Sequence, residues 1–320
     1  MFKRKSTDEG IALLPAHILV WTYAALLGIP IYFVIVSAFK DNIAIFDTPL
    51  ALPTSLSTHN FVEAWNTVKL GHGLINSLIV TTMSEVVTLA LALPAAYGIA
   101  RSKGKIGAIV ERIFALGFLI PAFAAMVPTL LLSIKLHMYH TLPFFSLFLS
   151  ATTLPISVIL LSQFMRTIPA ELEESAMLDG ATRWQTLRFI YLPLTRAGIV
   201  LAVILNFLTY WNEYLFSLVL LGYQTSTRTV QVALPILITN NTQYGVLLAG
   251  TLISLIPVYI VYIFFHRKIE GALLAGSIKV SLRRRYYPWL MPLASRLKML
   301  QPLQASVSRP PLAPSLANPE

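Results

Sequence analysis

The chain has 320 residues, 56% of them hydrophobic and 12% charged, with mean hydropathy +0.70 and a formal net charge of +10. A soluble domain carries about twice that share of charge, so the composition excludes one and makes lipid the solvent. There is no cysteine, which excludes a disulfide framework and a thiolate metal site.

Residues 1–12 form a short polar head with Lys3, Arg4 and Lys5. Residues 18–39 are an apolar run without a charge, long enough to cross roughly 30 Å of hydrocarbon. The run is longer than the apolar stretch of a secretory signal, and no clear A-x-A site follows it. It therefore reads as a retained first span, kinked at Pro30. Residues 40–72 are polar and turn-rich, with Pro49 and Pro53. Within them, 60–65 reads as an amphipathic piece at the membrane surface, where Trp65 suits the headgroup belt.

The second span covers about residues 74–100, followed directly by Arg101, Lys103, Lys105 and Arg112. The third is about 113–136, with Pro121 and Pro128 inside it. His137 and His140 follow, three residues apart and without a third ligand, and read as a bare surface pair. The fourth span is about 143–165, the fifth about 198–221 and the sixth about 245–265, with a polar loop at 222–243. His266, Arg267 and Lys268 close the sixth.

Between spans four and five lies the one long charged passage, residues 166–197. Pro169 suits a first helical position, because its missing N–H would be unpaired there anyway. Glu171, Glu173 and Glu174 follow in the first turns, where the helix dipole favours carboxylates. Gly180 sits where a helix needs a left-handed exit. Thr182 and Gln185 form a T-x-x-Q capping box for a second helix, which Pro193 ends. The expected fold is all-α, with six transmembrane helices and a helix–turn–helix loop between spans four and five.

Six spans put both termini on one side. That side holds twenty of the Lys and Arg residues and the other holds four: Lys40, Lys69, Lys135 and Arg228. The positive-inside rule places the termini and the charged loop in the cytoplasm. The charge thus sets orientation against anionic lipid, and no basic–aromatic face for nucleic acid is present. Residues 13–281 form the membrane domain. Residues 282–320 form a tail with seven prolines after Tyr287 that is expected to be disordered.

No catalytic constellation and no phosphate-binding loop is present. On span five, Asn206, Thr209, Tyr210, Glu213 and Ser217 fall within an arc of roughly 100°. A polar stripe in a bilayer must face protein or water, so it either lines a pathway or packs against other spans. Span two repeats the pattern with Ser77, Thr81, Ser84 and Thr88, and Glu85 lies at the edge of that face. Asn206, Thr209, Tyr210, Glu213, Ser217 and Glu85 are the pathway candidates.

The loop also resembles a family. Glu174-Ser175-Ala176, then Gly180, then Ile190-Tyr191-Leu192-Pro193 is similar to the E-A-A, three residues, G, nine residues, I-x-L-P signature of binding-protein-dependent ABC importer permeases. The one departure is Ser175 for Ala. The 210–216 segment Y-W-N-E-Y-L-F resembles that of carbohydrate importer permeases, above all the second permease of maltose-type and glycerol-phosphate-type importers. So do Asn76-Ser77, Ala96-Tyr97 with Arg101, and the 271–280 segment, with Val280 where Gly is usual.

The resemblance implies one half of a heterodimeric pore in an ATP-driven sugar importer. A bacterial or archaeal cytoplasmic membrane would hold it, with a second permease, two cytoplasmic ATPase subunits and an extracytoplasmic solute-binding protein as partners. ATP and magnesium would be bound by the ATPase, and no cofactor or metal by this chain. Glu173, Glu174, Ala176, Asp179, Gly180 and Arg183 would form the ATPase-coupling loop. The alternatives are an ion-coupled secondary transporter using Glu85 and Glu213, and a non-transporting scaffold. No inverted repeat supports the first, and the polar stripe opposes the second.

Overall fold

A computed structural model of the chain describes residues 14–102, 104–119, 121–240 and 243–285, with the backbone alone at 14–16, 118, 122, 239–240 and 267–285. The polar head and the tail beyond residue 285 lie outside the described residues. The chain divides into two units after Lys268. In the second, residues 269–285 are helical.

Among the described residues every regular element is helical. The first four helices are α1 (Leu14–Ser37), α2 (Asn42–Asp47), α3 (His59–Thr67) and α4 (Leu70–Arg101). Next come α5 (Lys105–Leu116), a 3-10 turn (Gly117–Leu119), α6 (Ala122–Lys135), α7 (Leu142–Arg166) and α8 (Ala170–Leu178). The last five are α9 (Arg183–Leu194), α10 (Arg196–Trp211), α11 (Leu215–Leu221), α12 (Val230–Asn240) and α13 (Tyr244–Arg285).

Four helices are long and apolar enough to cross a membrane: α1, α4, α7 and the 244–266 part of α13. The pair α9 and α10, bent by 77°, makes up to five. Span three is not one helix, because the chain breaks between Leu116 and Ala122, where Pro121 has no N–H to continue a ladder.

Span five also breaks, after Trp211. The Asn212 side-chain amide donates to Leu208 O at 2.8 Å, and a Glu213 oxygen accepts from Phe216 N at 2.9 Å. One residue ends a helix and the next starts another, so the straight-helix arc drawn through Ser217 does not hold. The polar loop expected at 222–243 contains α12, which buries Val230, Val232, Ala233, Leu234 and Leu237.

Helices α4 and α7 pack along small residues. Ser84 Oγ donates to Ser146 O at 3.1 Å and Ser150 Oγ donates to Ser84 O at 3.0 Å. Small side chains let helix axes approach closely without a hydrophobic driving force. At one end of this pair, Ala92, Ala96, Leu161, Met165, Leu187 and Tyr191 share one buried cluster. That cluster roots the charged loop in the helix bundle.

Candidate functional sites

The charged loop begins with Pro169 as cap, one residue before the first helical position expected of it. Helix α8 ends at Leu178, and Gly180 turns the chain with φ +85°. The Thr182 hydroxyl accepts from Gln185 N at 3.3 Å, and the Gln185 side chain accepts from Thr182 N at 2.7 Å. The second helix does not stop before Pro193. A π turn at Leu187–Tyr191 widens it just ahead of the proline, and it runs on to Leu194.

Glu173 faces inward. Tyr97 OH donates to its Oε1 at 2.7 Å, Tyr191 OH donates to its Oε2 at 3.0 Å, and Arg101 Nε is 3.3 Å from Oε2. Arg101 also donates to Ile168 O at 2.5 Å and lies 4.9 Å over the Tyr191 ring. The ion pair is 17% exposed at Arg101 and 12% at Glu173, so it is shielded from screening.

Glu174, Asp179, Gly180 and Arg183 face outward, and Ala176 is half-buried behind them. Leu178 is 89% exposed and Trp184 63% exposed. Between this face and the end of α4 lies an open cleft of about 800 Å³, lined by Arg101, Ile106, Glu173, Glu174, Met177 and Arg183 among others. The six loop residues singled out in the sequence therefore divide: one anchors the loop and the rest present it.

The intramembrane candidates also divide. Tyr210 OH meets the hydroxyls of Thr88, at 2.8 Å, and Thr153. Asn206 Nδ2 donates to Ser157 Oγ at 3.1 Å and to Glu85 Oε1 at 3.4 Å. Ser217 Oγ is 2.7 Å from Thr229 Oγ1. All three side chains are buried against other helices of the same chain. Thr209 is exposed and donates to Leu205 O, Glu213 is half-buried, and Glu85 keeps one oxygen without a hydrogen-bond partner among the described residues.

The hydroxyl face of span two is likewise a packing face. Ser77 Oγ accepts from Val230 N at 2.9 Å, and Asn76 donates to Ser226 O and Arg228 O at 3.1 and 3.0 Å. Arg228 is buried, its guanidinium donating to Val68 O and Tyr223 O, and burial lowers its pKa from the ordinary value. Sequence spacing missed this latch, because it joins residues far apart in the chain. His140 is not a bare surface residue: its Nδ1 lies 2.7 Å from Leu221 O. Among the described residues no group of three metal-ligating side chains occurs.

A family model described as binding-protein-dependent transport system inner membrane component matches residues 88–275. The diacetylchitobiose uptake system permease protein NgcG of Streptomyces coelicolor is 28% identical over 276 residues, covering 86% of this chain and 91% of that protein. DasC, a permease protein of a diacetylchitobiose uptake system in the same organism, is 31% identical over 258 residues, covering 78% and 91%. The fold is similar to that of a chain in a bacterial ABC transporter involved in the import of alginate. The TM-score is 0.69 at 20% identity, over 83% of this chain and 99% of that one.

Proposed function

Because the chain belongs to the family of binding-protein-dependent transport system inner membrane components, we propose that it forms one half of the pore of a saccharide importer. It is an ABC importer permease subunit, a transport component rather than an enzyme, and that class displaces the ion-coupled alternative. The partners of the proposal are a second permease, an extracytoplasmic binding protein and two ATPase subunits that bind ATP and magnesium. The two relatives named for diacetylchitobiose support a saccharide as the transported class. Six spans and cytoplasmic termini remain part of the proposal. They are supported by the distribution of Lys and Arg between alternate loops.

The observation that carries the coupling role is the outward face of the loop. Glu174, Asp179 and Arg183 have no ion pair among the described residues, and Leu178 and Trp184 stand exposed beside them. Charged groups around apolar anchors make a surface suited to a protein partner. The ATPase docks there, and its closure moves the loop. Of the pathway candidates, Glu85, Thr209 and Glu213 retain the capacity to face substrate, and Asn206, Tyr210 and Ser217 hold helices together.

The test is pull-down of the ATPase subunits by Glu174→Lys, alongside uptake of radiolabelled diacetylchitobiose into vesicles with internal ATP. The variant is expected to lose ATPase binding and uptake while remaining in the membrane with the second permease. Wild-type binding and uptake would remove the coupling role.

A further inference from the structure

Glu173 joins three elements at one carboxylate and a fourth through Arg101. It stands on α8, two of its partners, Tyr97 and Arg101, close α4, and Tyr191 stands on α9. Arg101 then reaches the end of α7, donating to Ile168 O and Met165 O. Among the described residues the carboxylate accepts hydrogen bonds from two phenols, one at each oxygen, and pairs by charge with the Arg101 guanidinium. The anchor is therefore directional as well as charged. Tyr97 and Tyr191 also meet edge to face at 4.9 Å, which fixes both donors.

We infer that Glu173 is a positioning residue: a strut that makes the loop and the ends of α4 and α7 move as one body when the ATPase moves the loop. The inference rests on the proposed docking of the ATPase, and it adds the route by which motion enters the spans. Docking alone would move a loop. A strut 12% exposed, tied to two long helices, turns that displacement into rotation of the spans.

The experiment uses the complete importer in lipid nanodiscs, with spin labels on Glu171→Cys, exposed on α8, and Leu91→Cys, exposed on α4. The chain has no cysteine of its own, so the labels report alone once the partner subunits are cysteine-free. MgATP with vanadate is the probe. The wild type is expected to give one narrow distance, unchanged by nucleotide. Glu173→Gln, which keeps the shape and removes the charge, is expected to raise the population of undocked loop by about tenfold, the factor carried by one charge-assisted bond. That population should grow with MgATP–vanadate.

A network that merely stabilises the fold would lower the yield of complex and leave the distance narrow in the complexes that assemble, which overturns the inference. A wild-type distance that changes with nucleotide overturns it too. If Glu173→Gln fails to assemble, Tyr191→Phe decides, because it removes one hydrogen bond and keeps the ion pair. It is expected to broaden the distance less, and an unchanged distribution overturns the inference. Glu174→Lys separates the two ideas. Its loss of ATPase with a narrow distance supports both, whereas retained ATPase and uptake would sink the docking reading and leave the strut to the distance measurement.

Discussion

The hydroxyls of Thr88 and Tyr210 lie 2.8 Å apart, one on α4 and one on α10, with both side chains buried. Thr153 on α7 completes the contact with Tyr210, so one phenol ties three helices at the depth of the membrane. Hydrogen bonds between spans contribute about 0.6 kcal/mol on average and up to roughly 2 kcal/mol in model peptides. Tyr210→Phe keeps the ring and removes these bonds. The solubilised complex should unfold at a lower temperature, and ATP-dependent saccharide uptake should stay above half of wild type. Abolished uptake at an unchanged unfolding temperature would show that Tyr210 touches substrate instead.

At Gly180 a side chain would meet no atom within 4 Å, so substitution there acts through the backbone and through any partner. Its φ of +85° costs a residue with a Cβ about 1–2 kcal/mol. Gly180→Ala and Gly180→Leu carry similar strain, since neither branches at Cβ, but leucine adds bulk to the outward face. Pull-down of the ATPase should weaken slightly with alanine and strongly with leucine, with the spans inserted in both. Equal loss with the two would assign the effect to strain alone.

The parts of this loop that were legible from sequence are the local ones. Gly180, Thr182 and Gln185 act within one turn, so their spacing states their geometry. The inward turn of Glu173 was not legible. Its partners Tyr97 and Arg101 stand on a distant helix, and nothing in the spacing of Glu171, Glu173 and Glu174 distinguishes the anchor from its neighbours. The break after Trp211 was hidden for another reason. It contains no Gly or Pro, and depends on Asn212 and Glu213 bonding to backbone groups nearby. Helix α12 was hidden by polar flanks and by Pro235, although its apolar positions are buried.

Orientation follows from where charge sits. Arg101, Lys105 and Arg112 cluster around the start of α5, whereas the segment around α2 and α3 carries few cations. Reporter fusions at Thr58 and Gln224 should read outside, and a fusion at Gly104 inside. All three positions avoid the interior of a helix. An inside signal at Gln224 would break the six-span topology, because the latch from Asn76 and Arg228 holds that loop at the opposite end of α4 from Arg101.

Accessibility along α10 separates a wet face from a packed one. Asn206 is 2% exposed and Tyr210 3% exposed, each bonded to neighbouring spans, whereas Thr209 is open and its hydroxyl returns to Leu205 O. A polar side chain open at membrane depth requires water, protein or a local carbonyl. Cysteine in place of Thr209 should react with an aqueous thiol reagent in the assembled importer, at a rate that changes with MgATP–vanadate if that face lines the pathway. Cysteine in place of Asn206 or Tyr210 should stay inert in both states, since the thiol is enclosed by α4 and α7. Glu213→Cys should react more slowly than Thr209→Cys, because Glu213 is half-buried and caps α11. Rapid labelling of Asn206→Cys with Thr209→Cys inert would reverse the assignment. Water would then reach the cluster around Glu85, and α10 would present its opposite face to the pore.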